Sequence, residues 1–132
     1  MWWKSLTYPS EDTAMKFMLM IVEPRGQRDT RSEDEGRALY AEMVEFGQGL
    51  SARGQLLASE SLRPDSHGVR LQRRGERTSM IDGPFAEARE MVGGFFLIEC
   101  VSREEALEIA QTCPAARFAT VEVRECAPCY VQ

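Results

Sequence analysis

Two short segments of the chain carry apolar side chains on both faces of a predicted β-strand. The first is KFMLMIV, residues 16–22, and the second is FFLIEC, residues 95–100; only Lys16 and Glu99 are charged within them. Successive side chains of a strand point to opposite faces of the sheet, so both faces of these strands require an apolar cover. This requirement restricts the chain to folds in which a sheet is covered on both of its sides.

Two helices are marked by their starts and stops. Ser32 and Ser102 each precede a glutamate by three residues, which is the capping-box pattern of a helix N-terminus. Gly54 and Pro114 are stop signals after each helix. The apolar positions that recur at helical spacing are Leu39, Met43, Phe46 and Leu50 in the first helix and Ala106, Ile109, Ala110 and Cys113 in the second.

The other predicted elements are strands. They span residues 55–62, a hairpin of residues 69–73 and 77–81, and a last strand at residues 117–125. The order β-α-β-hairpin-β-α-β predicts an α+β fold, a ferredoxin-like β-α-β-β-α-β antiparallel sheet with an inserted hairpin. Two helices cover only one face of such a sheet. We therefore predict a homodimer in which two sheets pack face to face, since closed two-fold dimers are the commonest oligomers.

Length and charge limit the organisation and the partners. The chain has 132 residues and a formal net charge of -5, which predicts one domain and argues against nucleic-acid binding. We expect a domain at residues 15–126, an N-terminal extension at 1–14 that is a flexible tail or docks Trp2 and Trp3 on a partner, and a C-terminal tail at 127–132. The longest apolar run is too short to cross a bilayer, and the N-terminus lacks a secretory signal. A cytoplasmic location with free thiols is expected.

The most informative stretch is DGPFAE, residues 82–87, followed by Arg89-Glu90 and then by Gly93-Gly94 and an aromatic strand. It resembles the DGPF-domain branch of the YCII-related family, and the likeness extends from about Met15 to Glu125. The resemblance implies a dimeric ferredoxin-like α+β barrel. It implies no settled reaction, and some relatives are encoded beside or fused to extracytoplasmic-function sigma factors.

Asp82 is the candidate catalytic acid or base. Its carboxylate cannot close an Asx-turn, because Pro84 lacks the required N–H. It either accepts hydrogen bonds from the N–H groups of Phe85 or Ala86 and fixes the loop, or it points into a cavity as an acid/base. In the second case we expect Glu90 to act with Asp82, and burial beside Glu90 or Glu60 to raise the pKa of Asp82.

The candidate substrate-binding residues surround this carboxylate. Arg89 is predicted to hold an anionic group, and the others are Glu60, Phe85, Gly93 and Gly94. A solvated loop is the alternative interpretation of Arg89 and its neighbour Glu90. Gly93-Gly94 enters a strand rather than opening a helix, so it predicts a bulge or a close backbone approach and not a phosphate loop.

The remaining candidates are a histidine and two cysteines. Better-studied YCII-type relatives are thought to use a His-Asp pair with the histidine on the first helix, whereas His67, the only histidine of this chain, falls in a turn. Cys126 and Cys129 have C-x-x-C spacing but no following helix that would lower a thiol pKa, and zinc would need two further ligands. We predict neither a metal nor a cofactor.

Two functions follow from these residues. One is a small-molecule enzyme or ligand binder, with isomerase-like proton transfer at Asp82 in a dimer cavity. The other is a non-catalytic dimeric module that senses a ligand or contacts a regulatory protein such as a sigma factor. The orientation of Asp82 toward a pocket or toward solvent discriminates between them.

Overall fold

The computed structural model describes residues 14–132, which form a four-stranded antiparallel sheet with two helices and a separate hairpin. The elements in chain order are β1 (Met15–Pro24), α1 (Glu33–Ala52), β2 (Leu56–Ser61), β3 (Val69–Arg74), β4 (Arg77–Asp82), β5 (Glu90–Cys100), α2 (Arg103–Gln111) and β6 (Thr120–Glu125), with 3-10 turns at Gln27–Thr30, Asp65–His67 and Pro114–Arg117. The strand order of the sheet is β2-β5-β1-β6. The predicted α+β class is confirmed, and the strand order is that of a ferredoxin-like sheet. The extension predicted at residues 1–14 falls almost wholly outside the described residues.

The core lies between the sheet and the two helices. Leu19 pairs with Phe96 and Phe17 with Ile98 across β1 and β5, and all four side chains are buried against the helices. The side chains that alternate with them are only half-buried, because within residues 14–132 no element covers that outer face: Met18, Met20, Val22, Phe95 and Leu97. Within one copy of the chain, residues 14–132 therefore do not supply the second apolar cover that the sequence requires.

Two predicted strand boundaries were wrong. β5 begins at Glu90 rather than Phe95, because it continues to pair with β1 beyond a bulge, as far as Pro24. β6 begins at Thr120 rather than Arg117, because residues 114–117 form a 3-10 turn after α2. The predicted hairpin is confirmed as β3 and β4, but it forms a two-stranded sheet of its own. No helix of the described residues is long and apolar enough to cross a bilayer.

The predicted capping boxes differ in outcome. At α1 the box is complete: Ser32 Oγ accepts from the Glu35 N–H at 3.1 Å, and Glu35 Oε1 accepts from the Ser32 N–H at 2.8 Å. The hydrogen bond from the Ser32 backbone is the main reason that the pKa of Glu35 lies below its ordinary value. At α2 only the serine half forms, because Glu105 Oε1 accepts from the Val101 N–H instead.

Replacing Ser32 with alanine should lower the free energy of unfolding by about 1 kcal/mol, because the Glu35 N–H loses its acceptor at the start of a 20-residue helix. Urea denaturation measures this loss. Ser79→Ala, in the exposed hairpin, is the matched control and should change stability by less than about 0.5 kcal/mol. Equal losses in the two variants would contradict the assigned role of the cap.

Candidate functional site

A cleft of about 880 Å³ runs between α1 and the sheet. In α1 only Gly47 and Leu50 are buried, and the helix touches the sheet where the Phe46 and Phe96 rings meet edge to face at 5.0 Å. Leu39 and Met43, predicted as core positions, are half-buried along the cleft. The apolar side chains that line it are Ile21, Leu39, Tyr40, Met43, Val44, Leu56, Phe96 and Phe118.

One end of the cleft holds a buried ion pair. Glu23 is 7% exposed, and its two carboxylate oxygens accept from Arg28 Nε at 2.6 Å and from Arg28 Nη2 at 3.1 Å. Arg28 also donates to the backbone carbonyls of Leu62 at 2.8 Å and Gly93 at 3.3 Å. The guanidinium therefore joins β1 to the end of β2 and to β5, and its donors are engaged by protein acceptors.

The Gly93-Gly94 pair makes room for this arrangement. A Cβ at Gly93 would overlap the Glu23 carboxylate and lie 2.7 Å from Arg28 Nη2, and a Cβ at Gly94 would lie 2.8 Å from the Glu60 carbonyl oxygen. The bulge in β5 falls at Gly93, between the pairs Ile21–Gly94 and Val22–Val92. Both roles predicted for the glycines, a bulge and a close backbone approach, are confirmed.

Two more arginines line the cleft near the start of α1. Arg37 is paired with Glu33 one helical turn away, at 2.7 Å. Arg31 is half-buried, and its guanidinium lies over the Phe118 ring at 4.8 Å from the ring centre, an arrangement in which a cation is attracted to the negative face of an aromatic ring.

The predicted site residues divide between two places. Glu60, Gly93 and Gly94 lie along the cleft. Glu60 pairs with Phe95, so strand alternation directs its carboxylate to the outer face of the sheet. The remaining predicted site residues do not line this cleft; they are Asp82, Phe85, Arg89 and Glu90. The structure does not bring the two groups into one pocket within a single copy.

The DGPF turn anchors the hairpin. Asp82 is exposed at the end of β4, and none of the backbone N–H groups that donate to side chains within residues 14–132 donates to its carboxylate. A Cβ at Gly83 would overlap the Asp65 carbonyl, and the Gly83 N–H donates to the Gly68 carbonyl at 2.8 Å. The glycine therefore allows the end of β4 to lie against the turn that precedes β3.

Phe85 and Arg25 extend this anchor. The Arg70 guanidinium lies 3.9 Å from the centre of the Phe85 ring, which holds the ring against β3. Arg25 Nε lies 2.9 Å from Asp65 Oδ2, close enough for an ion pair but not aligned for a hydrogen bond. Arg25 also donates to the Ala88 carbonyl at 3.2 Å. The base of the hairpin is thereby joined to the end of β1.

The sulfur and imidazole candidates show no ligand set. Cys100 and Cys113 are buried, and burial raises the pKa of both thiols. Cys126 and Cys129 are exposed free thiols that follow β6. His67 Nδ1 lies 3.3 Å from Arg63 Nη1 in an exposed turn. Within residues 14–132, no three histidine, cysteine, aspartate or glutamate side chains converge as they would around a metal ion.

Sequence reasoning missed Glu23 and Arg28. The signal was present, because Glu23 continues the buried alternation of Phe17, Leu19 and Ile21 and is therefore a charge placed on a core face. A carboxylate at such a position requires a partner. Nothing in the spacing indicates that Arg28, in the turn that follows β1, is that partner.

The comparisons with known proteins cover most of the chain. Residues 15–129 match the sequence model of the YCII-related domain. A protein of Rhizobium meliloti (strain 1021), described as uncharacterised, is 32% identical over 97 residues, which are 74% of this chain and 78% of that protein. Residues 15–129 contain all the strands, the two helices and the cleft-lining residues found in residues 14–132.

Proposed function

The chain belongs to the YCII-related family, and we propose that it binds a small molecule in the cleft between α1 and the sheet. The observation that carries the proposal is the cleft itself, about 880 Å³ along a helix whose apolar stripe stays half-buried. Ligand sites in proteins commonly measure about 300–1,000 Å³ and combine apolar walls with a few polar groups. A binding cleft explains why the stripe of α1 is not closed onto the sheet.

The polar groups of the cleft favour a ligand with one polar end. Aromatic and aliphatic walls occupy the face of α1 and strands β1, β2 and β5, while the Glu23–Arg28 pair and Arg31 lie toward one end of the cleft. The half-buried Ser59 pairs with Phe96 on the helix-facing side of the sheet, so its hydroxyl is directed toward the cleft. Such walls bury an apolar body and orient it by few hydrogen bonds.

An acid/base role for Asp82 remains a prediction. Its carboxylate is exposed at the hairpin, so in our proposal it reaches a ligand only where a second copy completes a cavity around it. Isomerase-like proton transfer at Asp82, with Glu90 as its neighbour and Arg89 as an anion contact, requires that dimer. Binding in the cleft does not require it.

Filling the cleft should abolish binding. We expect the uncharged probe 2-(naphthalen-2-yl)ethanol to bind the native chain, detected by saturation-transfer NMR, and Met43→Trp to lose this signal because the indole occupies the cleft beside α1. Met80→Trp is the matched control: Met80 is 67% exposed on the hairpin, and its replacement should leave binding unchanged. Binding that survives Met43→Trp, or no binding by the native chain, would refute the assignment.

We further propose that two copies pack their outer sheet faces together. That face is apolar along β1 and β5, and residues 14–132 leave it uncovered. Met20 lies near its centre, between Phe95 and Glu122 on the neighbouring strands. Burial of such a face in a two-fold interface meets the requirement for a second cover.

Met20→Asp should convert the dimer to a monomer, because the carboxylate would be buried without a partner in the interface. Light scattering after size exclusion should give about twice 14.9 kDa for the native chain and 14.9 kDa for the variant. Met80→Asp, on the hairpin, should stay dimeric. A monomeric native chain would contradict the proposed interface.

The hairpin favours a second candidate function, that of a dimeric module contacting a regulatory protein such as a sigma factor. Every residue of β3 and β4 is exposed, including the cross-strand pair Leu71 and Met80. Exposed apolar pairs of this kind mark interaction surfaces. This function does not use the cleft, so the probe experiment separates it from ligand binding.

A further inference from the structure

We propose that the cleft selects ligands carrying a single carboxylate on an apolar, preferably aromatic, body, and that Arg31 is the residue that binds this carboxylate. The inference rests on the proposed ligand-binding function of the cleft. The observation behind it is that the three arginines lining the cleft, among residues 14–132, differ in whether a carboxylate is paired with them.

Two of these arginines are already neutralised. Arg28 donates hydrogen bonds to the buried Glu23 carboxylate and to two backbone carbonyls. Arg37 is paired with Glu33 at 2.7 Å. A ligand anion at either side chain would compete with a protein carboxylate, which is buried beside Arg28 and exposed beside Arg37.

Arg31 differs from both. Among residues 14–132, no carboxylate lies within ion-pairing distance of its guanidinium. The centre of the Phe118 ring lies 4.8 Å from the guanidinium carbon, and none of the hydrogen bonds that arginine side chains donate within residues 14–132 comes from Arg31. A planar guanidinium held in this way is suited to two parallel hydrogen bonds with a carboxylate.

The acidic side chains nearby do not fill this role. Glu35 interacts with Arg31 only weakly. Attraction to Arg31 is the smallest of the causes that lower the pKa of Glu35, after its hydrogen bonds with Ser32. Its Oε1 accepts from the Ser32 N–H. Glu23 and Glu33 are engaged by Arg28 and Arg37. None of these three carboxylates forms an ion pair with Arg31.

The walls define the rest of the ligand. Phe118 and Phe96 line the cleft on the side of Arg31 and the sheet, and Tyr40 and Met43 line it on the side of α1. A flat apolar body between these side chains would place its acidic substituent at the arginine. An inorganic anion lacks that body, and we expect it to bind poorly.

The test compares naphthalene-2-acetate with 2-(naphthalen-2-yl)ethanol, which share a ring and differ in the terminal group. We expect isothermal titration calorimetry to show the acid binding at least tenfold more tightly than the alcohol to the native chain. In Arg31→Gln this preference should fall below twofold while the affinity for the alcohol is retained, which also shows that the variant is folded. Arg77→Gln, on the exposed hairpin outside the cleft, is the matched control and should keep the tenfold preference.

The outcomes separate this inference from the proposed function. A preference for the acid that persists in Arg31→Gln, or equal binding of acid and alcohol by the native chain, would overturn the role of Arg31 and leave ligand binding in the cleft intact. Absence of binding of both probes to the native chain, or binding that survives Met43→Trp, would overturn the proposed function itself.

Discussion

Replacing Gly93 with alanine is expected to lower the free energy of unfolding by about 3 kcal/mol or more, because there is no space for a methyl group at this position. The added Cβ would overlap Glu23 Oε2 and lie 2.7 Å from Arg28 Nη2. Both atoms belong to an ion pair that is closed around Gly93 and bonded to its carbonyl. Relief of the overlap would require breaking that pair or shifting β5 away from β1. Chemical denaturation of the purified variant measures the loss.

Two further variants make the interpretation specific. Gly36→Ala is the matched control: no atom lies within 4 Å of its added Cβ, and the residue is inside α1, so the change should stabilise the chain by up to about 1 kcal/mol. In a Glu23→Ala background the overlapping carboxylate is gone, and Gly93→Ala should then cost much less than it does in the native chain. Equal costs in both backgrounds would show that the overlap is not the cause.

The elements of the fold could be predicted from the sequence because their signals are local. The alternation of Phe17, Leu19 and Ile21 fixes which face of β1 is buried, and the Ser32 cap fixes where α1 begins. These features depend on the strand and helix periods and on hydrogen bonds within a few residues. They needed no knowledge of distant contacts.

The cleft could not be predicted, because an apolar stripe on a helix shows which side faces the sheet but not how closely it approaches. Leu39 and Met43 belong to the same stripe as Leu50, yet only Leu50 is buried. Gly47 lies so close to Phe96 that a Cβ added to the glycine would be 3.3 Å from the ring. This contact fixes the distance between the sheet and the C-terminal half of α1. Nothing in the sequence around Gly47 or Phe96 indicates that the two residues meet.

Asp82 shows the opposite difficulty. A carboxylate in a glycine-proline turn is a reasonable site candidate by composition, but its surroundings depend on where the hairpin lies. The hairpin forms its own sheet, which leaves Asp82 exposed and outside the cleft within one copy. The glycine of the same motif has a local reason, since the Asp65 carbonyl occupies the space of a side chain at Gly83. A sequence motif can therefore reflect a packing constraint in addition to, or instead of, a catalytic group.

Arg28→Met should destabilise the fold by about 2–4 kcal/mol at neutral pH, because it leaves the Glu23 carboxylate buried without its cation. The Leu62 and Gly93 carbonyls lose their donor in the same variant. The figure lies below the usual upper range for buried pairs, because the Arg28 side chain is 30% exposed and water reaches part of it. Arg37→Met removes the exposed partner of Glu33 and should change stability by less than about 1 kcal/mol.

A second background distinguishes the buried charge from the lost packing. Glu23→Gln replaces the carboxylate with an uncharged amide of the same size, so Arg28→Met in that background no longer leaves a buried charge without its cation. The loss of unfolding free energy caused by Arg28→Met should therefore be smaller in the Glu23→Gln background than in the native chain, and chemical denaturation measures both losses. Equal losses in the two backgrounds would mean that the methylenes and hydrogen bonds of Arg28, and not the charge of Glu23, account for the loss.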